Sequence, residues 1–430
     1  MTLATPLGAP AMVRVRADRS AVLYALVAVY PVLWFAGLAY VVVPALVLCL
    51  AIPLMFTRPV RVPPGFGLWL AFLACMLLSG IEADTSLRAA LFGWRASFYI
   101  GATVLFLWIV NLDGERFAER SVVLPMALLW AECVAGGWLG VLFPAVSFHS
   151  LLEHLLPGSV LSNSTARAYV HPAFADLAQR TLGFRLARPK TLFAYTNQWG
   201  ATVGLLTPFA FAAMRLVRRR VVMVGLGVAL AASVIPIVVS ANRGLWIALV
   251  LGGAYYAARM AARDGVRIMA VGFVAVAAVG LLLAVTPAGH IAVARLTSQS
   301  NSNGTRASLL REALDGIQSS PLLGYGSPRP STTTLGNAHT GTQGQLQLVL
   351  YSHGIPALVF YLCFFLFTLV HTARTPTRGD PRGQRDLLLS SVIVSSLVMM
   401  FVYDFIPLAL YVLMAACALL WRGRLEGRPR

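Results

Sequence analysis

Charge is scarce in this chain of 430 residues: 12% of it is charged, against 58% hydrophobic, and the mean hydropathy is +0.75. A soluble domain carries about 25% charged residues, so a soluble globular fold is excluded, and so much apolar surface excludes disorder. The alternation of polar and apolar positions over about 10 residues that marks a membrane β-barrel strand is missing from the apolar runs. Acid is the scarcer sign, with 16 Asp and Glu against 34 basic residues and a net charge of +18. Lysine is nearly absent, Lys190 being the only one. The basic residues are scattered over short segments between apolar runs, which points to the positive-inside rule and away from a nucleic-acid partner. The five cysteines, Cys49, Cys75, Cys133, Cys363 and Cys417, each lie inside an apolar run and have no metal-ligand spacing. Neither a disulfide framework nor a zinc site is expected from them. The sequence has no Gly-rich phosphate loop, no G-x-S-x-G and no H-E-x-x-H, which removes an ATP-driven pump and the common hydrolases. A secondary transporter is not removed.

What the chain has in abundance is apolar runs. A bilayer core of about 30 Å takes about 20 apolar residues in a helix. Twelve runs approach that length, at roughly 21–37, 38–56, 66–80, 89–110, 121–143, 192–214, 221–241, 244–260, 268–286, 344–370, 387–403 and 405–421. The expected fold class is therefore all-α: a polytopic integral membrane protein of about 12 transmembrane helices, forming a single domain over 1–430. With the N-terminus inside, 22 of the 34 basic residues fall in inner segments, so both termini are expected on the cytoplasmic side. Residues 1–20, with Arg14, Arg16 and Arg19, read as a cytoplasmic tail before a retained first helix.

Two outer segments are long, 144–191 and 287–343, and loops of that size are usually functional or disordered. Both carry stretches that predict short amphipathic helices, Ser147–Leu156 and Arg306–Ile317. In the second, Leu310, Leu314 and Ile317 recur at helical spacing. Six of the seven histidines, all but His371, lie in these loops or in an adjoining outer part of a run. Any chemistry is expected on the extracytoplasmic face, with the two loops as its cap.

The outer side holds a cationic set: Arg180, Arg185, Arg188 and Lys190 before the sixth run, Arg243 in the turn Ser240-Ala-Asn-Arg-Gly244, then Arg295, Arg306 and Arg311. Arg95 lies in the outer half of the fourth run, where an arginine usually faces protein or a water cavity. Guanidinium forks match phosphate oxygens, and several together suit a lipid pyrophosphate headgroup. Pairing with lipid phosphates or with Glu82, Asp84, Glu153, Asp176, Glu312 and Asp315 is the structural alternative. His339 lies just ahead of the tenth run, and an imidazole there can take a proton from an attacking hydroxyl or simply be solvated. Gln343 and Gln347 follow at spacings of four and share its face if the helix starts early. His149, His154, His171 and His290 show no spacing that argues for a metal, and no metal ligand set is expected. Glu132, Asn197, Gln198 and Asp404 are polar residues in apolar surroundings, and Glu132 is suited either to a proton path or to a neutral or paired buried carboxyl. Glu82-Ala-Asp84 is either a chance acidic pair or one of the kind that holds a metal in some membrane glycosyltransferases.

These motifs resemble the O-antigen ligase and polymerase superfamily over roughly 185–365. Arg306 opens an amphipathic stretch ending in Pro321-Leu-Leu-Gly-Tyr-Gly326, followed by the His339 segment and a run with Gly354-Ile-Pro-Ala-Leu358. Ser240-Ala-Asn-Arg-Gly244 is similar to the family's Ser-x-x-Arg-Gly hairpin, and Arg188-Pro-Lys-Thr191 to its Arg-x-x-Gly motif, with Thr191 in place of the glycine. The resemblance implies a glycosyltransferase of the bacterial cytoplasmic (inner) membrane. It would move a glycan from a polyprenyl pyrophosphate carrier to a hydroxyl of a glycan, lipid or protein acceptor, without metal or other cofactor. It gives Arg188 and Arg243 the pyrophosphate, Arg306 a binding or loop-fixing role, and His339 the base, with Arg185, Arg95, Gln343 and Asn197 as secondary candidates. Many members place the histidine about eleven residues before the helix glycine, and counting back from Gly354 reaches Gln343, so His339 and Gln343 both stay open for that position. A polymerase of the same superfamily and a lipid-linked glycan transporter or flippase, using Glu132, Arg95 and Asp404, are the alternative readings.

Overall fold

Lipid offers the backbone no hydrogen-bond partner, so apolar runs are driven into helices. The computed structural model describes residues 20–56, 59–112, 114–181, 184–264, 301–332, 339–373 and 380–426. The first half contains α1 (Ser20–Phe35), α2 (Ala39–Leu48), α3 (Ala51–Met55), α4 (Phe66–Leu78), α5 (Ser86–Val110) and α6 (Glu115–Leu142). A long connection follows, with α7 (Leu151–Leu155), α8 (Gly158–Leu161), α9 (Ser164–Val170) and the strands β1 (Ala175–Thr181) and β2 (Phe184–Pro189). Then come α10 (Thr196–Leu216), α11 (Arg220–Val239), α12 (Arg243–Asp264), α13 (Asn301–Ser319), the short strands β3 (Arg329–Pro330) and β4 (His339–Thr340), α14 (Gln345–Thr372), α15 (Pro381–Met399) and α16 (Leu408–Glu426).

Among the described residues six helices are long and apolar enough to cross a membrane, within α5, α6, α11, α12, α14 and α16. The expected dozen is not reached there. The apolar helices at 21–35, 39–55 and 66–82 are shorter, α10 and α15 carry polar residues at one end, and the run 268–286 lies outside the described residues. The run 38–56 is divided at Cys49 and Leu50 into α2 and α3. The architecture is that of a helical membrane protein. Its connecting segments also hold two antiparallel ribbons, β1–β2 and β3–β4, where short helices alone were expected.

The centre is α16, whose apolar stretch is 83% buried, while α11 and α12, at 17% and 22%, lie at the periphery. Around α16 pack α5, α10 and α15, and α14 packs on α4. Between these last two, Trp69, Phe72, Tyr361, Phe364 and Phe365 form a buried aromatic cluster with Tyr99 of α5. Large flat rings fill such a core with few degrees of freedom to freeze.

The turns fall into two sets. At one end, Leu152 N–H bonds the Ala36 carbonyl, Arg188 bonds the α11–α12 turn, Ser79 bonds His353, and Gln345 N–H bonds the Tyr403 carbonyl. Both long connections gather at this end. The other end holds Arg61, Asn111, Glu119, Arg120, Arg385, Asp386, Arg422 and Arg424 in local contacts of their own, with Arg385 bridging Asp386 and Glu119 and Arg422 capping the Ile109 and Val110 carbonyls.

Candidate functional site

The β1–β2 ribbon pairs Asp176 with Arg188 and lays Arg188 on the α11–α12 turn. Arg188 Nε donates to the Ser240 carbonyl at 2.7 Å, and Nη2 donates to Asn242 Oδ1 at 2.6 Å. Asn242 Nδ2 donates in turn to the Thr196 carbonyl at 3.1 Å, tying the turn to the start of α10. Gly200 is needed there: a Cβ would lie 2.5 Å from Asn242 Nδ2. Arg243 is the first residue of α12. Two residues on, Leu245 N–H donates to Tyr403 Oη at 3.0 Å. Burial pushes the Tyr403 phenol up, against the Leu245 bond and the charges of Arg188 and Arg306. Two motifs far apart in sequence thus meet at Asn242, and Arg306 is within electrostatic reach of the same tyrosine.

Arg306 lies on α13, which packs on α14 and β4. The buried stripe of α13 is Leu309, Ala313 and Ile317. Leu310 and Leu314, expected on that stripe, are exposed. Residues one step apart on a helix differ by about 100°, so both registers look periodic in an apolar sequence. His339 is half-buried in β4, opposite Pro330 of β3, and its carbonyl accepts from Thr342 Oγ1. The helix does not start early. Gly341 is left-handed at φ +87°, a Cβ on Gly344 would lie 2.5 Å from the Phe401 carbonyl oxygen, and α14 begins at Gln345. His339, Gln343 and Gln347 therefore do not share a helical face. Gln343 contributes its backbone N–H to Gln347 Oε1 at 3.0 Å, and Gln347 Nε2 reaches the Leu309 carbonyl, joining α13 to α14.

Arg95 has buried Nε and Nη1 atoms with no hydrogen-bond partner among the described residues, and its guanidinium lies 5.9 Å from the Trp94 ring centroid. Its charge reaches Asp404, whose carboxyl is raised by burial and held back by the Ile406 N–H, Arg95 and the Phe405 N–H. At the start of α10 it is Gln198, more than Asn197, that does the bonding among the described residues: its Nε2 donates to Tyr169 Oη and to the Ile406 carbonyl. The side chains of Arg180 and Arg185, and all of Arg295 and His290, lie outside the described residues.

The acidic pair has a structural task. Asp84 pairs with Arg88 and, at 3.1 Å, with Arg329. Arg88 also donates to the Tyr325 and Ser327 carbonyls and so clamps the turn that follows α13. The Arg88 bond holds the Asp84 carboxyl below its ordinary value of 3.8, so the clamp keeps its charge through mildly acid pH and is lost as pH falls below that value. Asp84→Asn is expected to lower the thermal midpoint at pH 7 and to shrink its loss on acidification. An unchanged midpoint would mean that Arg88 holds the turn alone.

Sequence reasoning left out Asn242, Tyr403, Arg88 and the Ser79–His353 bond (2.7 Å). Asn242 lies inside the recognised hairpin motif and was legible as a hydrogen-bonding side chain beside Arg243. Comparison with curated proteins gives no match. Residues 228–362, from α11 into α14, match the O-antigen ligase family model. That stretch holds Arg243, Arg306, His339 and the Gly354 break, and over it the chain is similar to the O-antigen ligase family, whose members are membrane enzymes of ligase or polymerase type.

Proposed function

We propose that the protein transfers a glycan from a polyprenyl pyrophosphate to an acceptor hydroxyl at the outer face of the bacterial cytoplasmic membrane. Both termini would be cytoplasmic, with the arginine-rich end of the bundle inside, and the two long connections would cap the active site. The observation that carries this reading is the junction of Arg188 with the Ser240–Arg243 turn, which fixes one guanidinium beside the start of the helix that Arg243 opens. Pyrophosphate is a good leaving group. Its departure needs neutralisation of the charge growing on the bridging oxygen, which preorganised cations supply in a dry site, here Arg188 and Arg243 without a metal. Arg306 binds the donor or fixes the loop, while Arg95, with Asp404 near, is a second cation facing inward. His339 takes the acceptor proton, and attack opposite the leaving group inverts the anomeric centre.

The test is transfer by purified protein in liposomes, given the host's lipid-linked oligosaccharide and candidate acceptors without added divalent ions. His339→Ala is expected to lower the rate by about 10²- to 10⁴-fold, the usual contribution of a general base, and Gln343→Ala by less than tenfold. The reverse order would move the acceptor contact to Gln343 and remove the histidine base. A lengthened glycan on the same carrier would make the enzyme a polymerase. Lipid crossing the bilayer with no transfer to any acceptor would sink the enzyme reading in favour of a flippase.

A further inference from the structure

The first long connection closes on itself through a cluster that sequence spacing does not show. Ser150 caps α7, accepting the Glu153 N–H at 3.2 Å. That turn aims the Glu153 carboxylate inward, where it is 6% exposed. Glu153 Oε1 lies 3.2 Å from His149 Nδ1, and Oε2 lies 2.8 Å from His171 Nδ1. One ligand atom from each of the three residues falls within 4.8 Å of the others. The cluster opens to a cavity of about 490 Å³ lined by His149, Glu153, His154, Leu156, Leu161 and Arg167.

We propose that His149, Glu153 and His171 bind a divalent cation of the zinc type. Two imidazoles and one carboxylate form a borderline donor set that suits Zn²⁺ better than Mg²⁺ or Ca²⁺. Bond lengths of about 2.0–2.1 Å in a tetrahedron put ligand atoms about 3.3 Å apart, close to the separations from Glu153 to each histidine. Small side-chain rotations of His149, which is 61% exposed, bring the two imidazoles to the same spacing. Three protein ligands leave a fourth position for water, and the cavity lies beside it. The Glu153 carboxylate already faces both imidazoles, one oxygen toward each. Arg167 Nε lies 4.0 Å from Oε1, but its side chain is 57% exposed and can turn toward an anion on the open position. The ion would join residue 149 to residue 171, just ahead of β1 and the ribbon that carries Arg188. It would brace that connection and take no part in transfer.

Full-length protein in detergent, stripped with a chelator and dialysed against Zn²⁺, would be assayed for zinc by mass spectrometry and for affinity by competition with a chromophoric chelator. One Zn²⁺ per chain is expected. His149→Ala and Glu153→Gln should each weaken it by more than the about 10- to 100-fold that loss of an outer-shell partner costs. The exposed His149 can be removed without opening the core, so its variant stays folded. His371→Ala, at the far end of α14, should bind zinc as the native chain does. Zinc absent at micromolar free ion, or held equally by His149→Ala, overturns the proposal and leaves a carboxylate clasped by two imidazoles.

Discussion

Arg188→Ala is expected to lower glycan transfer by at least about 100-fold, the usual cost of removing one preorganised charge or donor from a site where anionic charge develops. The same change would also strand the Ser240 carbonyl and Asn242 Oδ1, and each buried acceptor left unsatisfied costs about 1–3 kcal/mol. Loss of activity alone would therefore not separate pyrophosphate binding from a structural role. Two further variants do. Arg188→Lys keeps the charge but not the planar fork that spans both acceptors, so part of the rate should return. Asn242→Ala keeps the arginine and removes the side chain that orients it, so the rate should fall by a smaller factor with Arg188 still present. Rates are to be compared per folded molecule, with the thermal midpoint measured beside them. If Arg188→Ala loses activity only in proportion to folded protein, Arg188 is a strut and the pyrophosphate must be held elsewhere.

The sequence resolves the motifs better than the surfaces between them. The Ser240–Gly244 hairpin is legible because Arg243 has little loop to solvate it, and Arg188 because it stands in a cationic set whose motif resembles that of a known family. That each would be held by the other was not legible, since 52 residues separate Arg188 from Ser240 and only the ribbon's register brings them together. The ribbon was missed because its short alternation is swamped by neighbouring apolar runs. On α13 Ile317 is buried as expected, while Leu310 and Leu314 lie one residue away from the buried Leu309 and Ala313. In a membrane protein, apolar residues face lipid and protein alike, so periodicity alone does not select the packed side. The helix starts at Gln345, close to the expected run 344–370, so the shared face that an early start would give His339, Gln343 and Gln347 does not form; the backbone reasons, Gly341 and Gly344, act through local geometry that composition does not carry. The cluster at Glu153 was hidden for the opposite reason: its ligands have ordinary spacing on one side and a 18-residue gap on the other.

The largest stability effect is expected at Gly354→Ala. Gly354 interrupts α14 at φ +82°, ψ 176°, a region open almost only to glycine and costing other residues about 1–3 kcal/mol. Space forbids the change as well. A Cβ there would lie 2.5 Å from the Leu322 carbonyl carbon and 2.9 Å from the Pro321 oxygen, and both are backbone atoms that cannot swing aside. The turn after α13 presses back in the same way, since a Cβ on Gly324 would lie 2.6 Å from the Tyr351 oxygen. This interlock places Tyr325 N–H on the Tyr351 carbonyl, Gly326 N–H on the Ser352 carbonyl and Ile355 N–H on the Pro321 carbonyl. Opening the helix at Gly354 frees the Tyr351 and Ser352 carbonyls, and the turn with its two glycines supplies the donors they need. Losing three such bonds at about 1 kcal/mol each, on top of the backbone strain, gives a destabilisation of about 4–6 kcal/mol. Gly354→Ala should then yield little folded protein in the membrane, and any recovered should melt far below the native chain. Because α13 carries Arg306 and packs on the strand holding His339, transfer should be lost with the interlock. A Gly354→Ala protein with native yield and midpoint would mean that the turn docks by its side chains, through Tyr325 on Tyr351 and the Gly316 carbonyl, and that the glycine at 354 is dispensable.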